Sequence, residues 1–222
     1  MSDDVLGHIA YKIANAEVKN FPFPHIFVRD VFPDAFYDEI QDALPAEIMY
    51  SGIEGKYKGR RFNDTTELAL LDPLRSDEFT NIAKFPFKKH ISQRFLKPYR
   101  QKADLRLVMD EENYSIGPHT DAPYKVLSYL FYLRHRQDFD LRDLGTSIYL
   151  PRDPAFRCKG GPHHNREDFI EIARMPYIPN SLFAFFKTDF SFHGVEPITI
   201  PCRRDVLLWN LYGEVIPDVP AT

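Results

Sequence analysis

Residues 118–133, PHTDAPYKVLSYLFYL, place a histidine and an aspartate two positions apart and then run directly into an apolar segment. In an extended chain successive side chains alternate between faces, so His119 and Asp121 point the same way and can reach one metal ion. A His-x-Asp pair alone is a weak signal, because the carboxylate can simply orient the imidazole within a turn. The metal hypothesis therefore depends on what the rest of the chain supplies.

The apolar segment belongs to a series of short strand-like runs between residues 104 and 213. Pro, Gly, Asp or Asn separates each run from the next. The eight runs are LRLVMD, ENYSI, KVLSYLFYL, TSIYL, FIEIARM, SLFAFFKT, FHGVEPITI and DVLLWNLYG. Short strands at this spacing predict an all-β sandwich or jelly roll rather than a βαβ sheet.

The residues before 104 have a different pattern. Helical spacing of apolar residues predicts helices at 4–18, 33–43 and 76–100, the last interrupted by Pro86. FPFPHIFVRDVFP (21–33) predicts a short strand, and the polar, basic stretch 51–64 predicts a loop. We therefore expect one domain, 1–222, mainly β with N-terminal helices (α+β). In it, residues 1–103 form a helical supporting layer on a double-stranded β-helix (jelly-roll, cupin-like) core at 104–213.

Composition excludes several classes of partner. The 222 residues carry a net charge of −4 with both signs scattered, which argues against a nucleic-acid-binding surface. No apolar run reaches the ~18–20 residues that a membrane span needs, and the N-terminus lacks a signal peptide pattern. Two cysteines make no disulfide framework, so a reducing, cytoplasmic location is expected. Nothing in the sequence predicts an oligomeric state.

A second histidine and an arginine strengthen the metal hypothesis. His193 lies on a turn-rich connection between two apolar runs, and Arg203 follows ten residues later in a predicted strand. Two imidazoles and one carboxylate leave three positions of an iron ion open, two for a bidentate 2-oxoacid and one for O2. Alternation turns either Arg203 or Arg204 inward. The spacing from His193 favours Arg203 as the residue that grips the far carboxylate of the 2-oxoacid.

These residues together resemble the 2-oxoglutarate and Fe(II)-dependent oxygenase superfamily, most closely its prolyl hydroxylase-like branch. The resemblance rests on His-Thr-Asp, a His-x-Val about 70 residues later, the following arginine, and the segments LFYL (130–133) and LGTSIYL (144–150). It covers residues 104–213, although Gly145-Thr146 departs from the glycine pair of that branch.

The resemblance implies a role for each matched residue. His119, Asp121 and His193 would be the catalytic iron ligands. Arg203 would bind the C5 carboxylate of 2-oxoglutarate, and further cosubstrate or substrate contacts would come from Tyr132, Tyr114 and Lys125. The implied cofactors are Fe(II), 2-oxoglutarate and O2, with ascorbate as an auxiliary reductant.

The function expected from this set is hydroxylation of an unactivated C–H bond in a small molecule, with release of succinate and CO2. Two alternatives stay open: a cupin-like binding or isomerase module without redox chemistry, and hydroxylation of a protein side chain. His163 and His164, in the glycine-rich stretch KGGPHHNRED, fit a lid at 159–166 over the site better than a second metal cluster.

Overall fold

The computed structural model describes residues 2–52, 58–136 and 141–216. The helices within these ranges are α1 (Ser2–Ala14), α2 (Asp34–Asp42), α3 (Asp77–Lys84) and α4 (Lys88–Arg94). A short 3-10 turn, Phe85–Phe87, separates α3 from α4 at the predicted proline interruption. No helix in the described ranges has the length and apolar character needed to cross a bilayer.

Two antiparallel sheets form the core of the molecule. Their strands are β1 (His25–Arg29), β2 (Ser51–Gly52), β3 (Arg60–Asn63), β4 (Tyr99–Asp110), β5 (Ile116–His119), β6 (Lys125–Tyr132), β7 (Ser147–Pro151), β8 (Phe169–Arg174), β9 (Ser181–Phe186), β10 (His193–Val195) and β11 (Arg204–Val215). The larger sheet has the order β1-β9-β6-β11-β4-β3-β2, and the smaller sheet has the order β5-β10-β7-β8. This architecture confirms the predicted jelly-roll core.

The structure corrects two details of the sequence prediction. The stretch 51–64 was predicted as a loop, but β2 and β3 form there and pair with each other, and β3 continues the larger sheet beside β4. Residues 53–57 of that stretch lie outside the described ranges. Since β1 also joins the larger sheet, the residues before 104 supply part of the sheet as well as helices, and β4 itself begins at Tyr99. The prediction of a single domain remains a prediction.

The alternation of side chains along β11 divides the core. Leu207, Trp209 and Leu211 are fully buried in the cluster that includes the helices, and the Trp209 ring meets Phe79 of α3 edge-to-face at 5.2 Å. Burial of an aromatic side chain of this size is worth about 3–5 kcal/mol against alanine. The intervening β11 residues, beginning with Arg204 and Val206, consequently face the smaller sheet and the cavity between the sheets.

Candidate metal centre

The two histidines face each other across paired strands. β5 and β10 run antiparallel with His193 opposite His119, and the ring centroids are 4.4 Å apart. Nδ1 of His119 lies 2.9 Å from the Gly117 carbonyl, and Nδ1 of His193 lies 2.9 Å from the Ser191 carbonyl. If each Nδ1–H donates to its carbonyl, each Nε2 is left with a lone pair for a metal.

Asp121, two residues beyond His119, completes the group. One ligand atom from each of His119, Asp121 and His193 lies within 4.8 Å of the other two. The Asp121 carboxylate accepts hydrogen bonds from Lys125 Nζ at 2.9 Å and from Ser128 Oγ at 2.7 Å, both on β6. These two donors fix the orientation of the carboxylate toward the histidines.

The charges of the three residues suit a divalent cation. Burial, assisted by His193, lowers the pKa of His119 to about 3, and burial also lowers the pKa of His193. Burial alone would raise the pKa of Asp121, but Lys125 and the two histidines outweigh it and hold that pKa well below its usual range. Two neutral imidazoles and one carboxylate therefore stand ready at neutral pH, a donor set that fits Fe(II) and leaves positions open.

A cavity of about 280 Å³ extends from these residues between the two sheets, and Arg204 lies at its far end. Arg204 is 1% exposed, donates through Nε to the Leu144 carbonyl at 2.5 Å and forms an ion pair with the buried Asp110. Arg60 on β3 pairs with the same carboxylate, with Nη2 2.7 Å from Oδ2. Nη2 of Arg204 is buried and has no hydrogen-bond partner among the described residues, so the cavity offers an unused cationic donor.

Arg203 does not face this cavity, and its predicted inward orientation is wrong. Its guanidinium lies on the helix side of the sheet, where Nε binds Asp205 at 2.7 Å and Nη2 binds the Pro45 carbonyl at 3.0 Å. The reason is the two-residue period of the strand. Because Leu207 and Trp209 must face the helices, Asp205 and Arg203 lie on that same side, and Arg204 turns inward.

The remaining predicted contacts have different surroundings from one another. Tyr114 lines the cavity, with the Arg60 guanidinium 4.1 Å from its ring centroid. Lys125 also lines it, but its ammonium group binds Asp121. The hydroxyl of Tyr132 donates to Thr146 Oγ1 at 2.8 Å and accepts from Thr146 N at 3.0 Å, and Thr146 is the one of the two that lines the cavity.

Several residues of the site were not predicted from the sequence, and Arg204 was considered only as the alternative to Arg203. Arg60, Asp110, Ser128 and Arg204 all contact either the metal ligands or each other. Ser128 had a usable signal, since it is the one serine within the apolar run KVLSYLFYL. Arg60 had none, because its position depends on β3 joining the sheet beside β4.

The glycine-rich segment before β8 packs against the metal ligands. The Thr120 hydroxyl donates to the Cys158 carbonyl at 2.7 Å, and the His164 amide donates to the Pro118 carbonyl at 2.9 Å. The His163 ring lies 4.9 Å from the His119 ring. Within the described ranges, neither His163 nor His164 belongs to a cluster of three metal-ligating side chains. Residues 158–164 thus form one wall beside the site, and a lid motion stays a prediction.

No family model and no curated protein matches this sequence. Solved structures do share its fold. The epimerase SnoN, solved in complex with Fe3+, alpha ketoglutarate and nogalamycin RO, is 12% identical with a TM-score of 0.55, covering 98% of this chain and 91% of its own. A Pseudomonas putida prolyl-4-hydroxylase is 12% identical with a TM-score of 0.54, covering 95% of this chain and 99% of its own.

A prolyl hydroxylase from Trichoplax adhaerens, in complex with a hypoxia inducible factor peptide fragment, is 8% identical with a TM-score of 0.52 over 95% of this chain and 90% of its own. At such low identities these likenesses establish architecture. The chain has the double-stranded β-helix fold of the 2-oxoglutarate and Fe(II)-dependent oxygenases.

Proposed function

We propose that this protein is a non-haem Fe(II)- and 2-oxoglutarate-dependent dioxygenase that hydroxylates an unactivated C–H bond of a small molecule and releases succinate and CO2. One observation carries the proposal. Two neutral imidazoles and one carboxylate lie together at one end of a cavity between the sheets, and an arginine with an uncommitted donor lies at the other.

His119, Asp121 and His193 would hold the metal on one face and leave its other positions to the cosubstrate and O2. When bound, the metal and the 2-oxoacid supply the O2-activating chemistry that hydroxylation requires. The chain's own task is orientation. Gly117 and Ser191 fix the histidine rings, and Lys125 and Ser128 fix the carboxylate.

Arg204 would bind the distal carboxylate of 2-oxoglutarate through Nη2. Arg60, Arg204 and Asp110 together carry two positive charges and one negative charge, so the far end of the cavity has a net charge of +1. That charge matches one carboxylate. Asp110 also holds the Arg204 side chain in place through the charge-assisted bond. Binding of the cosubstrate therefore costs little additional side-chain entropy at Arg204.

Two cavity residues add to this end of the site. Thr146 lines the cavity and is held by the Tyr132 hydroxyl, while Tyr132 itself packs with its ring centroid 5.6 Å from the Arg204 guanidinium. Tyr132 is therefore proposed as a positioning residue behind Thr146 and Arg204. Tyr114 is proposed as a direct wall of the cosubstrate site.

The assay that tests the proposal is anaerobic addition of Fe(II) and 2-oxoglutarate to the metal-free protein. A weak visible charge-transfer band is expected when both Fe(II) and 2-oxoglutarate are present. No band is expected with Fe(II) alone or with 2-oxoglutarate alone. A cupin-like binding or isomerase module without redox chemistry gives no band, and that result would overturn the proposal. Arg204→Lys should raise the 2-oxoglutarate concentration that gives half of the band's full intensity. The matched control Arg203→Lys should leave that concentration unchanged.

Cys158 and Cys202 form no disulfide within the described residues, and the reducing, cytoplasmic compartment stays a prediction. Fold relatives include both a small-molecule epimerase and a prolyl hydroxylase bound to a peptide fragment. A small-molecule substrate is proposed here on the strength of the groove described next.

A further inference from the structure

The inner face of the larger sheet continues past the metal site. Ser128, which holds Asp121, is paired with Asn210 of β11, and Asn210 is paired with Asp104 of β4. This row marks the level of the metal ligands. Two residues further along, Tyr212 is paired with Lys102. Because side chains repeat every second residue, this next row faces the same way, ~7 Å beyond the metal level.

A second cavity, an open groove of about 740 Å³, covers this extension. Arg106 lines both the groove and the metal cavity, so the two spaces adjoin. The groove therefore offers a route from solvent to the metal ligands along β4 and β11.

Two tyrosines form an aromatic surface in the groove. The ring centroids of Tyr124 and Tyr212 lie 5.7 Å apart, and the Gly213 amide donates to the Tyr124 carbonyl at 2.8 Å, which ties the two segments together. Tyr124 is 60% exposed although its ring is large and apolar. Burial and the nearby Asp104 raise the pKa of Tyr212 to about 12, so its ring stays a neutral phenol. Aromatic rings at the mouth of a site are suited to stacking on a ligand.

The charged residues of the groove leave a net positive charge. Three cations (Arg100, Lys102 and Arg106) face two carboxylates (Asp104 and Glu214). Arg106 binds Asp104 at 2.9 Å. Lys102 forms no ion pair with any residue in the described part of the chain and is paired in register with Tyr212. A lysine in a groove that also holds two aromatic rings is complementary to a ligand ring that carries an acidic group.

We propose that this groove binds the unreacted part of the substrate, and that the substrate is a small molecule with an aromatic ring and an acidic group. The ring stacks on Tyr124 and Tyr212, and the carboxylate, phosphate or sulfate binds Lys102. The carbon to be oxidised then lies about two strand residues, ~7 Å, from the ring. This inference rests on the proposed function only in placing the reactive carbon at the metal ligands.

The test measures binding to metal-free, full-length protein with two probes of equal size and opposite charge, 2-naphthoate and 2-naphthylmethylamine. Naphthalene fluorescence reports the affinity. We expect 2-naphthoate to bind at least about tenfold more tightly than the amine. Tyr212→Ala should weaken the affinity for 2-naphthoate about tenfold, and Tyr212→Phe should retain that affinity. Lys102→Ala should remove the preference for 2-naphthoate over the amine. Lys89→Ala, which removes an exposed lysine of α4, is the matched control.

Arg204→Lys separates the groove from the cosubstrate end of the metal cavity. If the groove is the site, this variant leaves 2-naphthoate affinity unchanged. Equal affinities for the two probes would overturn the inference. So would a loss of 2-naphthoate affinity in Arg204→Lys with no loss in Tyr212→Ala. Since no metal is present, the result is independent of the charge-transfer assay, and either proposal can fail alone.

Discussion

His119 and His193 are direct cross-strand partners, one on β5 and one on β10, with ring centroids 4.4 Å apart. A metal held by both imidazoles therefore joins two strands of the smaller sheet whose own pairing is short. Ligand binding to the folded state alone stabilises it by mass action. A metal bound by these two imidazoles would therefore also stabilise the pairing of β5 with β10.

Metal addition should raise the thermal midpoint of unfolding. At a free Co(II) concentration 100 times its Kd, the gain is about 2.7 kcal/mol. His119→Ala and Asp121→Ala should remove this gain and abolish substrate-dependent succinate formation, with an unchanged far-UV circular dichroism spectrum. His163→Ala, whose ring lies 4.9 Å from His119, is the control and should retain metal binding. Substantial succinate formation by either ligand variant would contradict the assigned metal site.

Ser128→Ala should weaken metal binding without unfolding the chain. The hydroxyl donates to Asp121 at 2.7 Å, and loss of such an outer contact typically costs 10–100-fold in metal affinity. Calorimetric titration with Co(II) measures the change. Ser92→Ala, an exposed serine on α4, should leave the affinity as it is. Equal affinities for all three proteins would mean that Ser128 does not orient the carboxylate.

Arg204→Lys should raise the KM for 2-oxoglutarate by at least about tenfold, because a lysine cannot reproduce the forked donor geometry. Arg203→Lys should leave that KM near the wild-type value, since Arg203 binds Asp205 and the Pro45 carbonyl instead. Steady-state succinate formation at varied 2-oxoglutarate provides both numbers. A larger effect at Arg203 would reverse the assignment.

The metal-free protein should lose stability between pH 7 and pH 5. An unfolded histidine takes up a proton near its ordinary pKa of ~6.5, whereas burial, assisted by His193, lowers the folded pKa of His119 to about 3. The unfolded state therefore binds more protons in this window, and the free energy of unfolding falls as the pH falls. On the order of 1–2 kcal/mol is expected from His119 at pH 5.

Urea unfolding at the two pH values measures this loss, with chelator present. His119→Gln has no imidazole to titrate and should lose less stability over the same interval. If wild type and variant show the same pH dependence, the buried neutral state of His119 is not the cause.

Gly160→Ala should disturb the wall beside the metal ligands. Gly160 has φ +125°, and an added Cβ would lie 2.7 Å from the Asp121 carbonyl oxygen and 2.9 Å from Pro123 Cδ. We expect a stability loss of about 1–3 kcal/mol together with weaker metal binding. Gly161→Ala is a matched control, since Gly161 has φ +153° but no atom within 4 Å of an added Cβ. It should cost stability while sparing metal affinity.

The sequence was sufficient for the core architecture because strand alternation and turn residues are local signals. It also placed His119, Asp121 and His193 together, and the structure has them within 4.8 Å. It failed at Arg203, where two adjacent arginines compete for one inward position. Only the side that buries Leu207 and Trp209 decides that choice, and spacing from His193 carries no information about it.

Long-range pairing explains the other omissions. Arg60 and Asp110 are partners because β3 lies beside β4, 50 residues away in the chain. The stretch 51–64 is polar and glycine-containing, so its local pattern favours a loop, and tertiary pairing overrides that preference. A single sequence contains no signal for such a partner.

β11 is one unbroken strand of 12 residues that begins at Arg204 and runs past Tyr212. The residue proposed to grip the cosubstrate and the residue proposed to select the substrate consequently share a single rigid backbone, eight positions apart. On these two proposals, replacements near the C-terminal end of this strand would change which substrate binds, while Arg204 at the opposite end would still bind the cosubstrate. Substrate specificity could therefore change, in evolution or by design, through this end of the strand alone.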